Sequence, residues 1–225
     1  FVSHDIETVR KLCDKALFLK EGKLEQWGVS KSVCDSYARY LFGGVNKTKV
    51  MKLAQLRDRP KSAHFDQALS ASACEVIYGN GKADIESCWL SNEDGDLINV
   101  VESGTPFFWC YSVRFNQDIV NPIFAMMLKT QEGISLYGVD SASSEDHKRE
   151  FRKGESVEVN FRLKNNLAPG VYFLNCGVKI DGDSGMEFLA RRVDSSLLKF
   201  YNSESSTVLS GMLEIHAEII VSNLP

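Results

Sequence analysis

No apolar stretch in this 225-residue sequence approaches the roughly 20 residues that a membrane-spanning helix requires; 122–128 is among the longest. Five prolines and 16 glycines are too few for a low-complexity or collagen-like chain. Six cysteines stand one by one, with no C-x-x-C pair, and the four histidines add no zinc-ligand spacing. Free thiols in a reducing compartment are the expectation. The opening Phe1-Val2-Ser3-His4-Asp5 has neither the basic start nor the apolar core of a signal peptide, and it reads as the cut end of a longer chain. A phosphate-binding G-x-x-x-x-G-K-[ST] loop is absent as well, so the sequence as it stands is not expected to hold or hydrolyse a nucleotide unaided.

Charge is present, but unevenly placed. The chain carries 26 Lys+Arg against 30 Asp+Glu, with 44% hydrophobic residues, an ordinary soluble balance. Residues 1–61 hold 13 basic and 7 acidic side chains, whereas 62–225 hold 13 and 23. The acidic body argues against nucleic acid as a partner, because phosphate binding draws on clustered Lys and Arg.

Periodicity changes near the same boundary. Ile6, Val9, Leu12 and Cys13 recur at helical spacing, with Asp5 placed as an N-cap. Short strands are expected at 16–19 and 24–27 around the turn Glu21-Gly22-Lys23, then a helix over 33–42 that stops at Gly43-Gly44. Residues 45–75 read as a linker, with a helical stretch near 50–57. Beyond 76 the pattern is of short strands, at 82–90, 107–115, 123–130, 135–139, 156–163, 170–180, 197–201 and 212–220, separated by turn residues such as Asn92-Glu93-Asp94-Gly95 and Ala168-Pro169-Gly170. The expected fold is mostly β: an antiparallel sandwich preceded by a short α/β unit.

Two segments carry resemblances. His4-Asp5, the helix after it, Cys13 to Leu19, Glu21-Gly22-Lys23 and Trp27-Gly28 resemble the end of ABC-transporter nucleotide-binding domains, where His4 matches the switch histidine that touches the γ-phosphate of ATP. Residues 1–44 are read as that remnant. Tyr78-Gly79-Asn80-Gly81-Lys82, Asn121-Pro122-Ile123-Phe124, Leu136-Tyr137-Gly138, Leu167 to Leu174 and Arg191-Arg192-Val193-Asp194 resemble the C-terminal domain of the Wzt family, ATP-binding subunits of O-antigen exporters. This second resemblance implies an immunoglobulin-like sandwich over 76–225, usually dimeric, that binds a lipid-linked O-antigen polysaccharide. It further implies a transmembrane permease as partner, ATP and Mg in the intact parent chain, and a peripheral place on the cytoplasmic face of the bacterial inner membrane.

A sugar site needs aromatic rings beside hydrogen-bonding side chains. With Cys88 and Leu90 on a core face, Trp89 turns outward; with Trp109, Tyr111, Val113 and Phe115 inward, Arg114 turns outward; with Tyr172, Leu174, Cys176 and Val178 inward, Phe173 and Asn175 turn outward. Trp89, Arg114, Phe173 and Asn175 are the candidate glycan platform. Asp181 and Asp183 fail the calcium-loop template, and Ser196-Leu197-Leu198-Lys199 lacks the companion motifs of S-x-x-K enzymes. Two rival readings stay open: a dimerisation or permease-docking sandwich with no glycan site, and an enzyme acting on sugars.

Overall fold

A computed structural model describes residues 2, 3, 5–42, 61–69, 75–143, 150–182, 185–202 and 211–213. The N-terminal unit is a helix α1 (Ile6–Leu12), a hairpin of β1 (Lys15–Lys20) and β2 (Lys23–Val29), and a helix α2 (Ser30–Phe42). Asp5 caps α1 as its side chain implies, accepting from the Thr8 backbone N–H at 3.4 Å. Glu21 and Gly22 both take positive φ, +50° and +77°, the backbone of a tight hairpin turn. Phe18 joins hairpin to helix through ring contacts with Tyr37 and Tyr40 at 5.2 and 5.5 Å. The opposite face of the hairpin leaves Leu17, Leu19, Leu24, Trp27 and Val29 exposed.

The rest is mostly antiparallel β, as expected. Short strands β3 (Val76–Tyr78), β5 (Leu97–Ile98), β6 (Val100–Glu102), β8 (Ile119–Val120) and β11 (Glu150–Phe151) accompany the long strands β4 (Ala83–Ser91), β7 (Pro106–Phe115), β9 (Ile123–Thr130), β10 (Ser135–Asp140), β12 (Ser156–Lys164), β13 (Gly170–Gly182) and β14 (Gly185–Tyr201). One sheet runs β10-β9-β13-β14-β3, with β6 parallel to β14; its facing sheet runs β12-β7-β4-β5. The expected strand 197–201 is thus the end of a strand that begins at Gly185, while most of 212–220 and all of 50–57 lie outside the described residues.

Between the sheets lies the core. Trp109, Tyr111, Val113 and Phe115 from β7 are each 0% exposed, and Leu174 and Val178 face them from β13. Each such side chain contributes about 1.5–3 kcal/mol by leaving water. The Tyr111 hydroxyl satisfies itself across the core by bonding the Ala125 and Gly177 carbonyls, both at 3.2 Å.

A β-bulge in β14 sets the chemistry of the outer face of the first sheet. Leu174 pairs with Ser196 and Cys176 with Arg192, so Asn175 alone opposes Val193, Asp194 and Ser195. Asp194 adopts φ +53°, a left-handed conformation that Asp tolerates, and its N–H donates to the Asn175 side-chain oxygen at 2.7 Å. The bulge carries the Asp194 carboxylate to a fully buried position, 2.7 Å from the Lys129 ammonium of β9. Lys31 of α2 reaches the same carboxylate at 2.9 Å. Lys31 also donates to the Gln131 carbonyl at 3.2 Å and Arg10 to that of Gly133 at 3.3 Å, so the N-terminal unit is docked by cations onto β9, the turn after it and the bulge.

The two lysines are expected to differ in what they contribute. Asp194→Ala leaves Lys129 buried without its counter-charge and costs about 3–5 kcal/mol, whereas Lys31→Ala, whose side chain keeps 19% exposure, costs about 1 kcal/mol or less. Urea unfolding of the two variants checks this, and equal losses would contradict it. At the other end of the sheet, the Lys179 ammonium 2.6 Å from Asp140 holds that carboxyl below its ordinary 3.8, against the opposing effect of burial. A depressed folded value stabilises above the unfolded one and is lost as pH falls through the folded one. The stability gap between wild type and Asp140→Asn is therefore expected to be full at pH 7 and to close below about pH 4, read from urea midpoints across that range.

Candidate functional site

The four residues named as a platform do not come together. Trp89 and Arg114 lie on the outer face of the β12-β7-β4-β5 sheet, Phe173 and Asn175 on the outer face of the other sheet, with the whole core between them. The alternation assigned each to the correct side of its strand. It did not show what covers them. Trp89 is only 5% exposed, because Phe65 and Phe108 pack with it, Leu97 and Cys110 into a second cluster. Phe65 belongs to 61–69, a stretch that bridges to Leu97 and bonds Asn99 although its sequence reads as linker. Phe173 is 7% exposed, with the Lys31 ammonium 4.2 Å over its ring. Asn175 is buried and holds the bulge. Arg114 alone is exposed, 3.9 Å from Glu86. His4 lies outside the described residues.

What the outer face of the first sheet does offer is a groove. Along β13 the residues after Asn175 on that face are Gly177 and Lys179, and their partners on β9 are Met127, Ala125 and Ile123. Gly138 of β10 sits beside Met127. Glycine and alanine at adjacent positions leave a depression where larger side chains would fill it. The space, about 480 Å³, is lined by Ala125, Met127, Gly138, Asp140, Asn175, Gly177, Lys179, Phe188 and Arg191. A Cβ on Gly177 would stand 3.3 Å from the Phe188 ring, so the glycine also permits that ring to lie close to the floor.

The wall is a stack. Arg191 of β14 pairs with Gly177 of β13 on one side and with Tyr78 of β3 on the other. Its guanidinium rests 4.6 Å from the Phe188 ring and 5.8 Å from that of Tyr78. Held by rings, with no carboxylate paired to it among the described residues, it has N–H groups to donate along the groove. An adjoining cavity of about 290 Å³ under α2 is lined by Tyr78, Met127, Lys129, Asn175, Arg191 and Val193 together with Asp5, Arg10 and Asp35. Arg10 and Asp35 are paired with each other there. The Tyr78 hydroxyl is buried with no hydrogen-bond partner among the described residues, and burial outweighs Arg191 in pushing its pKa up, so it acts as a neutral donor and acceptor. At the far end Asp140 and Lys179 face each other.

The assembled side chains therefore comprise a ring, a stacked guanidinium, an amide, a phenol and a carboxylate–ammonium pair around a shallow floor. Such a set bonds hydroxyl groups in both directions and stacks on apolar C–H faces. Phe188 and Arg191 escaped the pattern analysis because β14 carries two irregularities. Val178 pairs with Ala190 but Lys179 with Phe188, so Leu189 is an extra core residue and the period of two fails twice within ten residues.

No curated protein matches the chain. Among solved structures, the C-terminal domain of wzt aligns with TM-score 0.63 and 19% identity over 79% of this chain and all of that one, a likeness of fold. The alkylpurine DNA glycosylase AlkC of Pseudomonas fluorescens aligns at TM-score 0.35 and 9% identity, over 54% of this chain and 31% of that one, too weak to carry an argument. Residues 75–215, more than half of the chain, match the family model of the Wzt C-terminal domain, and the chain belongs to that family, with its setting in ABC export of O-antigen.

Proposed function

We propose that the sandwich binds the lipid-linked O-antigen polysaccharide to be exported, in the groove over β10, β9, β13 and β14, as the C-terminal part of an exporter's ATP-binding subunit. The observation that carries this reading is Arg191, stacked on Phe188 and Tyr78 beside a floor of Gly138 and Gly177. Phe188 supplies a face for a sugar ring, and Arg191, Asn175 and Tyr78 supply hydroxyl partners. The glycan is bound without reaction, and homodimerisation and a permease contact are further parts of the proposal.

The reading of residues 1–44 as the end of a nucleotide-binding domain is supported by the order helix, hairpin, helix and by the exposed apolar face of the hairpin, which suits a piece of a larger packed unit. ATP and magnesium belong in this reading to the parent chain. The described residues do not fit them: they include no group of three His, Cys, Asp or Glu side chains placed to hold a metal, and no phosphate-binding loop occurs in the sequence. Among the described residues no helix is long and apolar enough to cross a membrane, and a peripheral position at the cytoplasmic face is proposed with the rest.

Calorimetric titration of the chain with its cognate O-polysaccharide, freed of lipid, tests the reading. Saturable binding is expected, weakened about tenfold or more, some 1.4 kcal/mol, by Arg191→Ala and by Phe188→Ala. Arg114→Ala, on the opposite outer face, is expected to leave it unchanged. Absence of binding favours the docking reading, and a product of altered size favours the enzyme.

A further inference from the structure

The core holds a pair of cysteines, Cys176 within it and Cys88 packed against it. Cys88 comes from β4 and Cys176 from β13, so they belong to opposite sheets, yet their sulfurs stand 3.4 Å apart. A disulfide is about 2.04 Å long, so the sulfurs need to approach by only about 1.4 Å. The strand carrying Cys88 has a register shift just before it, between Ile85 and Ser87. Cys88 is half-buried as a residue and Cys176 is 2% exposed, and both thiols sit in the core. Arg192, opposite Cys176 on β14, faces inward toward the pair, fixed by Glu75 at 2.6 Å and by the Ile85 carbonyl at 3.5 Å.

We propose that Cys88 and Cys176 form an inter-sheet disulfide when the protein meets hydrogen peroxide, Cys88 reacting first. The Cys88 sulfur attacks one peroxide oxygen and the O–O bond breaks. The departing hydroxide takes up a proton as water, and Cys88 becomes a sulfenic acid. The Cys176 sulfur then attacks the Cys88 sulfur and the S–O bond breaks. A second water leaves as the S–S bond forms. Two electrons pass from the two thiols to the peroxide, and no other reductant or oxidant is needed. The order agrees with the local electrostatics: burial alone would raise the Cys88 thiol, but the Cys176 contact and Arg192 outweigh it and bring it below its ordinary value, while burial pushes Cys176 well up. The link would join positions 88 residues apart and tie the sheets directly beneath the groove, because Cys176 lies between Asn175 and Gly177.

The test treats the reduced full chain with a few equivalents of hydrogen peroxide, quenches, alkylates under denaturing conditions and maps peptides by mass spectrometry. Expected are a loss of about 2 Da from the intact mass, a peptide pair joining Cys88 to Cys176, alkylated Cys34 and Cys110, and a melting temperature raised by about 5–10 °C. Cys176→Ala is expected to leave a Cys88 sulfenic acid that dimedone captures. Where that variant fails to fold, the wild-type peptide map decides alone. Recovery of Cys88 as thiol or sulfinic acid with no linked pair, or a link to another cysteine, overturns the proposal.

Discussion

A single buried carboxylate organises the outer face of the sandwich. Asp194 cannot sit fully buried as an anion unless cations meet it, since the desolvation of an isolated charge far exceeds what packing returns. Lys129 meets it from the neighbouring strand and Lys31 from the docked helix. Its position depends in turn on three residues of β14 spanning the length of one on β13, with the Asn175 amide and the Ser195 hydroxyl occupying backbone groups that the ladder leaves open. Remove the bulge and the strand regains regular alternation, Asp194 leaves the interior, and both lysines lose their reason to be buried.

The same irregular strand divides two adjacent arginines between two environments. Arg191 turns outward onto Phe188 and Tyr78, where cation–π stacking holds the guanidinium beside the groove. Arg192 turns inward to Glu75 and the cysteine pair. Away from its bulges the strand alternates sides, so one dipeptide supplies a cation to the groove and another to the core. The cost of burying Arg192 is offset by a short ion pair rather than by solvent, which fixes Glu75, at the entry to β3, against the sheet.

Much of the sandwich was legible because core strands advertise themselves. β7 alternates apolar residues without a break from Phe107 to Phe115, and β9 begins and ends where its residues change character. The β13 faces were legible for the same reason. β14 was not, since two bulges and an inward Arg defeat any period-two pattern and left only its last turn-free stretch recognisable. The binding face failed differently. Trp89 and Phe173 were placed on the right sides of their strands, but their covers, Phe65 and Lys31, come from segments 24 and 142 positions away in sequence. Periodicity reports the direction of a side chain and carries no information about what a distant segment lays over it. The Arg191-Arg192-Val193-Asp194 motif carries a family resemblance, yet its parts, a groove cation, a core cation and a buried anion, have meaning only once the bulge is known.

The two outer faces differ in kind, and the difference locates the site. On β12 exposed residues alternate with half-buried ones along the whole strand, and Arg162 and Glu93 form an exposed pair at 2.6 Å, the mark of a solvated surface whose charges are already matched. Where that sheet does carry a large aromatic, Trp89, the chain has closed over it. The other sheet keeps a floor of small residues, a ring and a guanidinium beside it, and a phenol with no hydrogen-bond partner among the described residues. Polar groups withdrawn from water but left unmatched gain most from a ligand that supplies the missing bonds. A surface of satisfied ion pairs has nothing comparable to gain, so recognition chemistry belongs with the grooved face even though the sequence advertised its aromatics on both.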